Sequence, residues 1–139
     1  KKQSIIVYVA LTHVMLARHA HIHTYKIYVD QVANFVDKRI RVSGWVHTIR
    51  SQGGLIFIEL RDGTGHPALL PAVLSGELTK TYDALTLRRE AAVFICGILK
   101  KEARAKGGIE LQADYWELVG PSSGDIENIV NEVLKTSVW

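Results

Sequence analysis

Ile40-Arg41-Val42-Ser43-Gly44-Trp45-Val46-His47-Thr48-Ile49-Arg50 leads through Ser51-Gln52-Gly53-Gly54 into Leu55-Ile56-Phe57-Ile58-Glu59-Leu60-Arg61, and this stretch decides the fold. Ile40, Val42 and Gly44 alternate with Arg41, Ser43 and Trp45, a period of two that continues through Val46 to Arg50. Ser51 to Gly54 reads as a hairpin loop. In the second strand Ile56, Ile58 and Leu60 share one face while Phe57 and Glu59 share the other, because successive strand side chains point to opposite sides. The turn Asp62-Gly63-Thr64-Gly65 closes it.

A third apolar stretch runs from Ala68 to Leu74. Pro67 and Pro71 interrupt it, which fits an edge or a bulge better than a central strand. Ser75 is placed to N-cap a helix reaching about Arg89, with Leu78, Tyr82, Leu85 and Arg89 at helical spacing. Ala91 to Leu99 reads as a fourth strand. After it comes the basic loop Lys100-Lys101-Glu102-Ala103-Arg104-Ala105-Lys106-Gly107-Gly108. The fifth strand, Ile109 to Val119, sets Leu111, Ala113 and Tyr115 against Glu110, Gln112 and Asp114. Three strands, a helix, then two strands is the order of a five-stranded OB-fold Greek-key barrel, all-β with one helix, over residues 26–119. Residues 1–25 form an N-terminal extension. Residues 120–139 open with the linker Gly120-Pro121-Ser122-Ser123-Gly124 and continue as a short helix.

A chain of 139 residues has room for one domain and a short appendage. A hydrophobic fraction of 47% suffices for a core, and the net charge of +3 is a weak vote for a polyanionic partner. The single cysteine, Cys96, lies in an apolar run and reads as a buried thiol in a reducing compartment, here taken as the cytoplasm. Ile5 to Ala17 is apolar but too short for a spanning helix, which needs about 20 residues. Its basic start and the lack of Asp or Glu before residue 30 echo secretory and organellar leaders. Its β-branched content favours an ordered or interacting segment, and no membrane partner is expected.

An OB barrel binds single strands on the outer face of its middle strands. Unpaired bases need a flat apolar partner, polar groups to read their edges, and cations for the phosphates. Phe57 beside Glu59 offers a stacking surface, with cover by the N-terminal segment as the alternative. Arg50 can reach the same face, or it is a solvated strand-end charge. Lys100 and Lys101 are candidate phosphate contacts. No nucleophile, phosphate loop or metal set points to catalysis. His19, His21 and His23 would project from one face of a strand and are weak zinc ligand candidates; surface histidines without metal are the simpler reading.

Gly44-Trp45-Val46-His47-x-x-Arg50-x-x-Gly53, followed by Phe57-Ile58-Glu59-Leu60-Arg61-Asp62-Gly63-Thr64-Gly65, resembles the signature of the anticodon-binding domains of aspartyl-, asparaginyl- and lysyl-tRNA synthetases of class II. The ending Gly108-Ile109-Glu110-Leu111 through Asp114-Tyr115-Trp116-Glu117-Leu118-Val119-Gly120 is most similar to the eukaryotic asparaginyl member. The resemblance covers roughly residues 26–132. It implies a module that grips the tRNA anticodon stem-loop: Phe57 stacks on an anticodon base, Arg50 contacts the loop, and Glu110 hydrogen-bonds a base. It implies a parent asparagine-tRNA ligase, homodimeric, in which ATP and magnesium serve a catalytic domain and this barrel holds no cofactor. The start at Lys1 and the end at Trp139 are read as those of a fragment rather than of a natural paralogue without a catalytic domain.

There is one departure. The family carries a base-reading glutamine on its third strand, where this sequence has Gly65-His66-Pro67-Ala68-Leu69-Leu70-Pro71. Ala68 or Pro71 takes its place, His66 is the candidate substitute, and Gln112 is a weaker one. A generic single-strand binder is therefore one alternative. A protein-interaction module is the other, since Ile126, Ile129, Val130, Val133 and Leu134 form an apolar stripe suited to a hinge, a catalytic domain or a second copy.

Overall fold

The computed structural model describes residues 23–64 and 69–122. Its organising element is strand β2 (Arg39–Gln52), which follows the two-residue strand β1 (Tyr25–Lys26) and a 3-10 helix at Val29–Phe35. Then come β3 (Leu55–Arg61), β4 (Leu70–Leu74), a 3-10 turn at Gly76–Thr79, the helix α1 (Tyr82–Thr86), β5 (Ala92–Lys101) and β6 (Ile109–Gly120). Sheet neighbours run β1-β2-β3-β4-β6-β5, and β5 pairs back onto β2, closing a five-stranded barrel with β1 added beside it. All pairings are antiparallel except β1 with β2 and β4 with β6. This is the OB barrel the sequence predicts.

The period-two pattern fills the interior. Ile40, Val42 and Val46 from β2 meet Ile56, Ile58 and Leu60 from β3, Leu70, Ala72 and Leu74 from β4, and Val93, Ile95 and Leu99 from β5. Leu111 and Trp116 complete the core from β6, and the Trp116 indole donates to the Leu78 carbonyl at 3.3 Å. β2 is long enough to serve two partners. Arg39 to Trp45 pair with β5, and Trp45 to Gln52 pair with β3. At the changeover the backbones nearly touch: a Cβ on Gly44 would stand 2.4 Å from the Arg61 carbonyl oxygen.

Alternation does not run unbroken, and this corrects two readings. In β2, Val46 pairs with Leu60 and Thr48 with Glu59, so His47 is an extra, bulged residue. The bulge flips the parity. Ile49 turns toward the barrel opposite Ile58, while Thr48 and Arg50 point outward opposite Glu59 and Phe57. In β6, Ala113 pairs with Gly97 and Tyr115 with Cys96, so Asp114 is an extra residue that the β5 register passes over. Tyr115, placed with Leu111 by simple alternation, is instead 45% exposed, and Trp116 turns inward.

Three more expectations change. The Ser75–Arg89 helix is broken into the 3-10 turn and α1. Thr81 rather than Ser75 caps α1, accepting from the Ala84 backbone amide at 3.1 Å. Tyr82 and Leu85, read at helical spacing with Leu78, are 79% and 74% exposed, while Ala84 and Leu87 are buried. The hairpin tightens to Gly53-Gly54, both at positive φ as a two-residue type I′ turn needs, with Ser51 and Gln52 still paired. β4 is not an edge strand: it pairs with β3 along its length and with β6 at Ala72 and Val73, and Pro71 sits just outside that second contact.

Ahead of the barrel, Tyr25 and Lys26 lie parallel to Ile40 and Arg41. Asp62 caps the first 3-10 helix, its Oδ2 accepting from the Val29 amide at 2.7 Å, so the β3 turn is tied to the chain's entry. His19, His21 and the stripe from Ile126 to Leu134 lie outside the described residues.

Candidate nucleic-acid interface

The His47 bulge is where the site begins. Arg61 donates through Nη1 to His47 Nδ1 at 2.9 Å and grips Glu90 with both nitrogens, at 3.1 and 2.6 Å. Arg89 Nε donates to the His47 carbonyl at 2.9 Å. The hydrogen bonds from Arg61 hold the Glu90 carboxyl below its ordinary range, as a half-buried charge-assisted pair should. These contacts fix the irregular residue that turns Thr48 and Arg50 outward.

Two cross-strand rows result. Arg50, Phe57 and Val73 form one, and Thr48, Glu59 and Pro71 the other. Both rows line an open cleft of about 910 Å³, walled on its far side by Glu110 of β6 and by Glu102, Arg104, Ala105 and Lys106 of the β5–β6 loop. The loop folds back on itself: Glu102 N donates to the Gly108 carbonyl at 3.0 Å, and Gly108 N to the Ala105 carbonyl at 2.9 Å. Gly107 and Gly108, both at positive φ, allow the reversal.

The Arg50 guanidinium carbon sits 4.5 Å from the centroid of the Phe57 ring. Thr48 Oγ1 donates to Glu59 Oε1 at 2.9 Å, which aims one carboxylate across the floor. The cleft thus brings together Arg50, Phe57, Glu59 and Glu110. It does not include the two lysines. Lys100 Nζ turns to Asp37 at 3.1 Å, and Lys101 stands exposed where the loop leaves β5. Its basic groups are Arg50, Arg104 and Lys106. The basic loop carried that signal, since Gly107-Gly108 bends its later residues over the barrel. Thr48 was not legible, because its outward direction depends on the bulge.

His66 lies outside the described residues, as does Ala68. β4 offers Pro71 and Val73 to the cleft, neither with a side-chain amide. His23 is exposed with its ring 4.4 Å from that of Tyr25, and among the described residues no group of three or more metal-type side chains comes together. Cys96 is buried, and burial pushes its thiol up. No helix among the described residues is long and apolar enough to cross a membrane.

Burial raises the Glu110 carboxyl above its ordinary value of 4.5, and the charge of Glu102 adds to the rise. A carboxyl raised by folding stabilises the fold below the unfolded value, and that contribution is lost as pH rises through the folded value. Glu110→Gln is therefore expected to unfold at a higher denaturant concentration than the parent at pH 7, with the difference closing below about pH 4.5. Denaturant titrations at both pH values check this; a difference that does not vary with pH contradicts it.

An aromatic ring, acceptor-only carboxylates and neighbouring cations share one face of an OB barrel, and these are the kinds of group that unpaired bases and phosphates can engage. The family model of the OB-fold nucleic acid binding domain, tRNA anti-codon, matches residues 40–119, and the chain belongs to that family. The cytoplasmic asparagine–tRNA ligase of Dictyostelium discoideum is 46% identical over 101 residues, covering 70% of this chain and 15% of the ligase. The human cytoplasmic asparagine–tRNA ligase is 39% identical over 109 residues, covering 75% of this chain and 19% of the ligase. Asparaginyl-tRNA synthetase from Pyrococcus horikoshii superposes with a TM-score of 0.62 at 34% identity, covering 70% of this chain and 23% of that one. The Entamoeba histolytica enzyme gives 0.66 at 28% identity, covering 84% and 28%. The chain thus spans less than a fifth of the length of these curated relatives, and what it matches is the anticodon-binding barrel.

Proposed function

We propose that this barrel is the tRNA anticodon-binding module of a cytoplasmic, homodimeric asparagine–tRNA ligase. On this reading a separate catalytic domain, with ATP and magnesium, activates the amino acid, and the barrel itself holds no cofactor. The observation that carries it is the cleft: Phe57 and Arg50 in one cross-strand row, Glu59 in the next, Glu110 facing them from β6. A base stacks on Phe57. Glu59 and Glu110 accept from base N–H groups, as a uridine N3–H or a guanine edge supplies. Arg104 and Lys106 meet the phosphates.

The test is binding of the 139-residue chain to a stem-loop bearing a GUU anticodon, in competition with a scrambled loop and across a salt series. Preference for GUU is expected, with affinity falling steeply with salt. Replacing both Arg104 and Lys106 by alanine should flatten the log–log slope by about 1.4, or roughly 0.7 for each phosphate neutralised on a single strand. One observation favours a second reading. Pro71 and Val73 put an apolar wall where an amide would read a base, so equal affinity for both loops would make this a single-strand binder without anticodon selectivity. Failure to bind either RNA would leave the barrel an interaction module.

A further inference from the structure

Gln52 is the last residue of β2 and lies outside the cleft lining, yet it holds a residue that is inside. Its Oε1 accepts from Arg50 Nη1 at 2.8 Å while the same guanidinium lies over Phe57. Arg50 and Gln52 are both exposed and two apart on one strand, so they share the outward face that the His47 bulge created. An exposed arginine at a hairpin end otherwise samples many rotamers.

We infer that Gln52 is a positioning residue for RNA binding: it keeps the Arg50 cation parked over Phe57, so that platform and charge are assembled before the strand arrives. A neutral amide suits this task. It orients the guanidinium through one acceptor without cancelling its charge, which a carboxylate at the same position would do. Glu59, the carboxylate in the next cross-strand row, is already engaged by Thr48 and does not draw the arginine away. The inference rests on the cleft being the RNA site.

The experiment uses the 139-residue chain, the GUU stem-loop, and the variants Gln52→Ala, Arg50→Ala, Phe57→Ala and the double variant at 50 and 52. Loss of one oriented hydrogen bond should weaken binding by roughly three- to tenfold in Gln52→Ala. It should have no further effect once Arg50 is alanine, because a positioning residue acts only through its client. The Arg50 Nε–H proton should also lose its ring-current shift in Gln52→Ala, as in Phe57→Ala, a signature that a general loosening of the hairpin would not single out. Gln52→Ala binding like the parent overturns the inference. So does a loss that adds in full to that of Arg50→Ala, since Gln52 would then touch RNA itself. Loss at Phe57→Ala with none at Gln52→Ala removes this inference alone, whereas no loss at either removes the RNA reading with it.

Discussion

Phe57→Ala is expected to cost about 1–3 kcal/mol in binding the anticodon stem-loop, the usual range for one lost base stack. At 25 °C that is roughly a five- to 150-fold rise in Kd. The magnitude follows from where the ring sits. Phe57 pairs across β2 with Arg50 and across β4 with Val73, so it stands mid-cleft with a cation on one side and an apolar wall on the other. Alanine removes the stacking surface, and the guanidinium loses its ring while keeping its bond to Gln52. Ile56 and Ile58, which face the barrel, are untouched, so the fold should persist and circular dichroism should match the parent. Phe57→Trp, which retains a flat ring, should bind within a few-fold of the parent. Equal affinity of Phe57→Ala and the parent would falsify the stacking role, whatever the salt dependence shows.

How much of this was legible beforehand depends on what each feature required. Ile56, Phe57, Ile58, Glu59 and Leu60 obey strict alternation, so β3 and the direction of Phe57 could be read from residue types alone. The strand order followed from turn residues and apolar runs. Arg50 was harder. On unbroken alternation with Val46 it belongs to the core face, and it reaches the cleft because His47 is an extra residue. The bulge is held by Arg61, Arg89 and Glu90, from two other segments, and long-range contacts of that kind leave no local pattern. Asp114 acts alike in β6: its salt bridge to Arg39, at 2.6 Å, belongs to the residue that breaks the register and sends Tyr115 outward. Leu78, Tyr82 and Leu85 have helical spacing, yet Gly76 at positive φ and the Thr81 cap start two short turns in place of one long helix. Lys100 turns to Asp37 outside the cleft, a placement that charge alone does not encode.

Gly97→Ala carries the largest expected loss of stability among the small changes, about 3 kcal/mol, the upper part of the range for forcing atoms into a packed site. Gly97 pairs with Ala113 beside the Asp114 bulge. A Cβ there would lie 2.1 Å from the Gln112 carbonyl oxygen, 2.7 Å from its carbon and 2.8 Å from the Ala113 Cα. All three are backbone atoms, so no rotamer change relieves the overlap and β6 itself must shift. That shift would strain the register from Ile98–Gln112 to Lys100–Glu110, so the end of β6 that carries Glu110 to the cleft moves with it. For a barrel of this size the melting temperature should fall by roughly 10–20 °C, and RNA binding should weaken even where the variant remains folded. Gly120→Ala is the matched control: among the described residues its Cβ would meet only the Ala92 Cβ, at an ordinary 3.8 Å, so its stability should stay within about 0.5 kcal/mol of the parent. Thermal denaturation of both variants decides the matter. If Gly97→Ala melts alongside Gly120→Ala, the close approach of β5 and β6 is not what holds Glu110 in place.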